Sequence, residues 1–343
     1  MNSETKAPRD FTYIKPRKRR VSEYEAVTCY TQPDPEVFDK QGWYLRTAEG
    51  RTAWRKESTA LRHPHWFDFR DPAAQWQRTY VRMQAEQERA IERAIEDAAR
   101  DGAFRDFDPA WTRDVVGAHY RVWSFFEYGL FRCFAQAQRE ALSDTLGNVY
   151  CFAGVDRMRH AQAIVIYLMD LEDQIPGFRD VGGKERWLSE PAYQPLRRLT
   201  EEIMAVDDWG ELAVAAHLVI DPIVSEIGAS EIVRRHGAFH GDSITPLVVS
   251  TTERDRRRNL EWTLELVRMV TAPEVSTAAA NLELIKRWMA RWTPPAVAAA
   301  EALAPVHARI PKPLGPFADA LSRARAAQAA LVATIQPKSV EAA

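Results

Sequence analysis

This chain of 343 residues is short of the features that usually point directly to a function. It has three cysteines, Cys29, Cys133 and Cys151, in no CxxC or Cys/His metal spacing. So sparse and odd a count fits a reducing compartment, and the expected location is cytoplasmic. The longest run free of charged residues, Ala326 to Pro337, is twelve residues, too short to cross a bilayer, so no membrane segment is expected. Met1 to Asp10 carries charges and lacks an apolar core, so no secretory signal is expected there. The formal net charge is only −2, which gives no global attraction to nucleic acid or to a membrane surface. There is no alternating strand pattern of useful length, no Gly-rich phosphate loop and no Ser/His/Asp order.

What is present is apolar and helical. Apolar residues make up 46% of the chain, with eleven Trp and fourteen Phe, enough for a large core or a large interface. Residues 1–70 are irregular. They hold the basic cluster Lys15-Pro16-Arg17-Lys18-Arg19-Arg20 and then scattered aromatics, including Tyr24, Trp43, Trp66 and Phe67. Disordered tails are poor in aromatics, so this arm is expected to lie along another surface, and the single basic run reads as solvated or partner-facing rather than as a nucleic-acid patch. From residue 72 the pattern is helical. Asp71-Pro72 starts a helix to about Arg100 and Asp108-Pro109 one to about Leu142. The apolar stripe of the latter is Val115, His119, Val122, Phe126, Leu130 and Cys133, with Glu127 beside it. Further helices are expected from Ser143 to Asp173, from Glu190 to Val206, from Trp209 to Arg235, and from Asp242 to Val270. A loop is expected over 177–190. The Ala-rich remainder reads as helices near 275–292, 296–308 and 317–334, broken at Pro294-Pro295 and at Pro311 to Pro316. The fold class is all-α, divided as an N-terminal arm (1–70), a helical bundle (71–271) and C-terminal helices and tail (272–343).

Two stretches 99 positions apart match each other: Asp156-Arg157-Met158-Arg159-His160 and Asp255-Arg256-Arg257-Arg258-Asn259. A four-helix bundle that binds two metal ions places Glu-x-x-His on each of two helices and a lone Glu on each of the other two. Here the Glu position is Arg157 in the first copy and Arg256 in the second, and the His position is His160 and then Asn259. None of the eight histidines has Glu three residues before it. Counting back, the lone-Glu positions fall on Glu127 and on Pro222, with Asp221 beside the latter. A guanidinium cannot ligate a metal. Glu127 and His160 alone cannot hold two metal ions, so these are degenerate ligand positions, and no metal and no catalytic residue is expected in this chain. Buried, Arg157 and Arg256 need anions, and Glu127, Asp221 and Glu226 are the candidates. The alternative is a stand-alone ferritin-like protein with a single-metal site at Glu127 and His160, joined by His217. His217 and Asp221 share chelating i, i+4 spacing. His236 and His240, at a helix end around Gly237, are expected at the surface, and Cys133 and Cys151 as small core residues.

The order of several short blocks resembles a known family. They are Lys18-Arg19-Arg20, Ser22-Glu23-Tyr24-Glu25, Gln32-Pro33-Asp34-Pro35, His65-Trp66-Phe67-Asp68-Phe69 with Asp71-Pro72, Asp156 to Gln162, and Asp208-Trp209-Gly210. Over residues 10–295 the chain is similar to the small (β) subunit of the hydroxylase in soluble di-iron multicomponent monooxygenases, and most similar to the propane and tetrahydrofuran type. The resemblance implies a ribonucleotide-reductase-like, ferritin-like fold that supports an iron-bearing large (α) subunit. The assembly it implies is an α2β2 or α2β2γ2 oxidoreductase complex. An NADH-dependent reductase with FAD and an iron–sulfur centre would feed it, and a small effector protein would regulate it. Arg17, Arg19, Tyr24, Trp43, Trp66 and Phe67 would then lie on a partner subunit.

Overall fold

The computed structural model describes residues 14–31 and 55–335, so Trp43 lies outside the described residues. Among the described residues the regular elements are helices. After a short α1 (Glu23–Thr28), α2 (Gln77–Asp101) runs along the outside of the bundle. The helix α3 opens at Pro109–Trp111, passes through wide π turns over Thr112–Tyr120 and continues as Arg121–Glu140. Next come α4 (Asp144–Gln174), α5 (Gly183–Ser189) and α6 (Gln194–Met204). The helix α7 opens at Trp209–Ala215 and continues in π turns over Ala216–Arg234. The chain closes with α8 (Thr245–Val270), α9 (Ala278–Glu301), α10 (Ala304–His307) and α11 (Phe317–Ile335).

The four long helices α3, α4, α8 and α7 form a ring around one centre. Their starts follow from local chemistry. Asp108 accepts from the N–H groups of Ala110 and Trp111 at 2.8 and 3.1 Å with Pro109 following it, Ser143 from Leu146 at 3.2 Å, Asp208 from Gly210 and Glu211 at 2.8 and 3.0 Å, and Asp242 from Ile244 and Thr245 at 3.1 and 2.8 Å. Each cap satisfies N–H groups that the first helical turn leaves unpaired. The stripe Val115, His119, Val122, Phe126, Leu130 and Cys133 is buried throughout, as periodicity predicts. The stretch Trp209–His240 is long and apolar enough by composition to cross a membrane, but most of it is enclosed by the rest of the bundle. One continuous apolar cluster runs from Leu61 to Ala324, so the C-terminal helices share the bundle's core.

Four local expectations are corrected. Asp71 caps a turn, accepting from Ala73 and Gln75 N–H at 3.0 and 2.9 Å, and the helix begins six residues later, at Gln77. The 177–190 stretch contains α5, entered through Gly182 at φ +76°, a left-handed conformation that glycine adopts without a side-chain clash. The helix α9 continues through Pro294-Pro295. Two lost N–H donors are outweighed there by packing on both sides of the prolines, with Trp292 and Ala296 fully buried and Trp292 Nε1 donating to Glu211 Oε1 at 2.8 Å. His236 and His240 are buried rather than exposed. The C-terminal segment covers His236, whose Nε2 accepts from Leu314 N–H at 3.2 Å, and His240 stacks on Trp111 at 4.9 Å.

Close packing of α3 on α7 depends on one small residue. A Cβ on Gly228 would lie 2.1 Å from the ring of Trp123, and the Gly228 carbonyl accepts from His119 Nε2 at 2.8 Å. Gly228→Ala is expected to destabilise by about 1–3 kcal/mol through overpacking. Gly147→Ala, whose Cβ would meet only the Gln138 carbonyl at 3.5 Å, gains helix propensity and should unfold at or above the wild-type urea midpoint. Paired urea titrations check the contrast.

Candidate functional site

The centre of the ring is occupied by charge. Arg157 projects inward from α4 with no exposed surface. Its Nη1 donates to Glu127 Oε2 on α3 at 3.1 Å, and its Nη2 to Asp221 Oδ2 on α7 at 2.5 Å. Glu127 Oε1 also accepts from Trp123 Nε1 at 3.3 Å, and Asp221 Oδ1 from Ser225 Oγ at 2.9 Å. Burial by itself would raise the Glu127 carboxyl, but Arg157, with His160 and Arg256, holds it well below the usual carboxylate range. Burial works against the charge on Arg157 too, and Asp221 and Glu127 overcome it.

Around this triad the two matched stretches cross. His160 on α4 uses Nε2 toward Asp255 Oδ2 on α8 at 3.0 Å, and Asn259 on α8 donates its Nδ2 to Asp156 Oδ2 on α4 at 2.9 Å. Each half's Asp therefore holds the other half's His-position residue. The Asn259 amide orientation follows from its two partners, since Trp262 Nε1 donates to Oδ1 at 3.0 Å. The arginines three residues after each Asp take part as well. Arg159 pairs with Asp255, and Arg258 with Asp156 and, at 3.1 Å, with Asp255. Gln84 of α2 bridges both carboxylates, to Asp156 Oδ1 at 3.1 Å and Asp255 Oδ1 at 2.9 Å, and Tyr80 OH donates to Asp156 at 2.7 Å. Burial and then the neighbouring Asp255 raise Asp156. Asp255 is itself lowered, because His160, Arg159 and Arg258 outweigh its burial.

The structure thus brings Glu127, Arg157 and His160 together, with His160 Nδ1 3.5 Å from Glu127 Oε2. Pro222 does not join them. The helix α7 is wound in wide turns over Ala216–Arg234, and the carboxylate it presents to Arg157 is Asp221. Arg256 is also corrected. Arg157 takes both central carboxylates, while the half-buried Arg256 donates to Thr252 Oγ1 at 3.2 Å and lines a cleft of about 340 Å³ with Asp221, Pro222, Glu226 and Glu253. Sequence reasoning missed Asp156, Asp255, Arg159 and Arg258 as participants, although their repetition at equal offsets was the available signal. Gln84 had none, since it reaches the site from another helix.

The residues present do not fit a di-metal centre. A guanidinium lies between the two carboxylates that a cation would have to share, and no group of three His, Cys, Asp or Glu suited to a metal occurs among the described residues. The single-metal arrangement fails on the same geometry. Glu127 is held by Arg157 and His160 by Asp255. His217 donates from Nδ1 to Thr263 Oγ1 at 2.7 Å, since the Thr263 hydroxyl itself donates to the Asn259 carbonyl. Burial pushes His217 down to about 3, so its ring is neutral, and Asp221 beside it belongs to Arg157.

The described parts of the arm, residues 14–31 and 55–70, pack on their own chain. Tyr24 is buried, its OH accepting from Asp71 N–H at 3.0 Å, which corrects its assignment to a partner surface. Glu25 caps α1 and pairs with Arg70 at 3.3 Å. Arg17 lies 3.6 Å from Glu265, Trp66 packs edge-on against Trp209, and Phe67 stacks on Tyr30 at 5.0 Å. Arg19 is exposed.

The buried triad gives a signed expectation. Arg157→Leu strands Glu127 and Asp221 and should cost about 3–5 kcal/mol at pH 7, whereas the triple change Arg157→Leu, Glu127→Leu, Asp221→Leu should recover most of that. In the wild type the lowered Glu127 contributes stability that is complete above its unfolded pKa and is lost as pH falls through the lower folded value. In Arg157→Leu, Glu127 loses its cation and is raised by burial, so the deficit should shrink as pH falls from 7 toward 5. Urea unfolding at both pH values checks it.

With this geometry in hand, comparison with known proteins is specific. The description of the methane/phenol/alkene hydroxylase family matches residues 43–274. The small subunit of the propane 2-monooxygenase hydroxylase component of Gordonia sp. (strain TY-5) is 30% identical over 95% of this chain and 89% of its own length. Its counterpart in Rhodococcus jostii (strain RHA1) is 32% identical over 87% and 81%. The methane monooxygenase component A β chain of Methylosinus trichosporium is 28% identical over 96% and 85%. The fold is that of a toluene 4-monooxygenase structure with toluene bound (TM-score 0.73, 23% identity, 84% of this chain and 94% of that one). A sequence match over two thirds of the chain and this shared helical architecture agree, and the chain belongs to the methane/phenol/alkene hydroxylase family.

Proposed function

We propose that this chain is the non-catalytic small (β) subunit of a soluble multicomponent hydroxylase that uses O2 and NADH to oxidise a small hydrocarbon. The observation that carries this reading is Arg157, whose guanidinium ties Glu127 to Asp221 at the centre of the bundle. A permanent, non-titrating cation leaves no ligand set for redox chemistry and serves to hold three helices in register. In this reading the di-iron centre belongs to the large subunit, and this chain supports it in an α2β2 or α2β2γ2 assembly in the cytoplasm. The reductase and a small effector protein dock on that assembly. The relatives named for propane and methane oxidation support an alkane-type substrate, whose selection belongs to the large subunit.

The test is metal content and mass of the chain expressed alone and with its large subunit. The expected result is a metal-free chain that enters a larger iron-containing complex when co-expressed. About one tightly bound metal per isolated chain, lost in Glu127→Ala and His160→Ala, would overturn the reading.

A further inference from the structure

We infer that the outward face of α4 is a helix-docking seam covered by a helix of the large hydroxylase subunit. The inference rests on the small-subunit reading above and adds where the two chains meet. The inner face of α4, with Ala153, Arg157, His160, Ile164 and Leu168, is buried in the bundle. The opposite face should then be polar, as on any surface helix. Instead it carries Cys151, Val155, Met158, Gln162, Val165 and Met169, separated by four, three, four, three and four residues. That is the a/d spacing of a coiled-coil seam held over more than two heptads. Every one of these positions is half-buried or exposed in this chain. Val155 is 43% exposed and Met169 59%, and Ile166, beside the seam, is 60% exposed.

A helix that is apolar on two opposite faces is a helix buried on both. The 3.5-residue period selects the occupant's conformation, since knobs at this spacing fit the holes of another α-helix, and the seam is about 27 Å long at 1.5 Å per residue. No unpaired charge stands in it. Arg159, the nearest cation, is turned inward onto Asp255 and is 12% exposed. Gln162 is the single polar residue at a core position, where one hydrogen bond across the seam fixes register.

The occupant has to be a constant companion, because a contiguous apolar stripe left in water favours aggregation. The relatives described above are small or β subunits of a hydroxylase component, so the constant companion is the other subunit of that component. The α2 helix borders the seam at one end, where Tyr80 stacks on Phe152 at 4.2 Å and the next residue, Val81, is 56% exposed, which extends the apolar surface in that direction.

The experiment co-expresses the full chain with its large subunit, as wild type and as Ile166→Glu with Met169→Glu. The two changed side chains are solvent-exposed in the chain alone, so its helical circular dichroism and thermal midpoint should be unchanged. Co-purified large subunit should fall on the order of a hundredfold, because two carboxylates would be desolvated, one in the seam and one at its border. In parallel, a photo-crosslinking benzoylphenylalanine replacing Gln162 should give an adduct mapped to one helix of the large subunit, a readout independent of the double variant's folding. Wild-type co-purification together with undiminished assembly of the double variant overturns the seam and leaves the small-subunit reading standing. An adduct between two copies of this chain overturns the assignment of the occupant. A wild-type chain that never associates with the large subunit overturns the proposed function itself.

Discussion

A guanidinium with no exposed surface has to be neutralised where it sits, and in this bundle that requirement organises everything around it. Arg157 comes from α4, its two carboxylates from α3 and α7, and His160, one turn along α4, is held by Asp255 of α8. Four helices therefore meet through one charged centre. Charged hydrogen bonds in a dry interior gain little over a well-packed apolar core, because desolvation cancels most of their attraction. Their effect is instead on alternatives. Rotating α7 by one position would withdraw Asp221 from Arg157 and present an apolar residue in its place, and shifting α8 would strand Asp156 and Asp255 together. The network makes neighbouring registers costly, which an apolar core of similar volume does far less sharply.

The parts of this arrangement that could be read in advance are those with a fixed local signature. The caps Asp108, Ser143, Asp208 and Asp242 stand immediately before apolar periodic runs, and the helices begin beside them. The paired Asp-Arg-x-Arg stretches and Glu127, thirty residues before Arg157, mark Glu127 as an anion for one of the two arginines. Which arginine it meets shows only in the structure, where Arg157 takes it.

What could not be read depends on departures from regular geometry or on contacts remote in sequence. Counting back from the second matched stretch separates Pro222 from Asp221 by a single residue, and only the structure shows that Asp221 is the one that reaches Arg157. Pro294-Pro295 looks like a stop because proline opposes a helix by roughly 3 kcal/mol, and the buried Trp292 and Ala296 that override it show only in tertiary structure. Tyr24 could not be assigned to self or partner from an aromatic-rich arm alone. The deciding contact, Asp71 N–H to its hydroxyl, joins residues 47 positions apart. His236 and His240 looked exposed because the segment that covers them, around Leu314, lies far along the chain.

Two kinds of side chain share the centre of this bundle. On the proposed reading, Arg157, Arg256 and Asn259 stand where a di-metal bundle would place ligands. Asp156 and Asp255, one layer out, hold side chains of the opposite helix whether or not those side chains ligate anything. Gln84 and Tyr80 tie the same carboxylates to α2. A metal draws four helices together by its ligands and supplies the positive charge that balances buried carboxylates. A planar, always-charged guanidinium with two forked donors can do both, and Arg157 joins α3, α4 and α7 in this way. The consequence reaches the outer face of α4. With its inner face committed to this network, α4 is the helix whose far side carries the proposed seam, so one element would join the charged centre of this chain to its partner subunit.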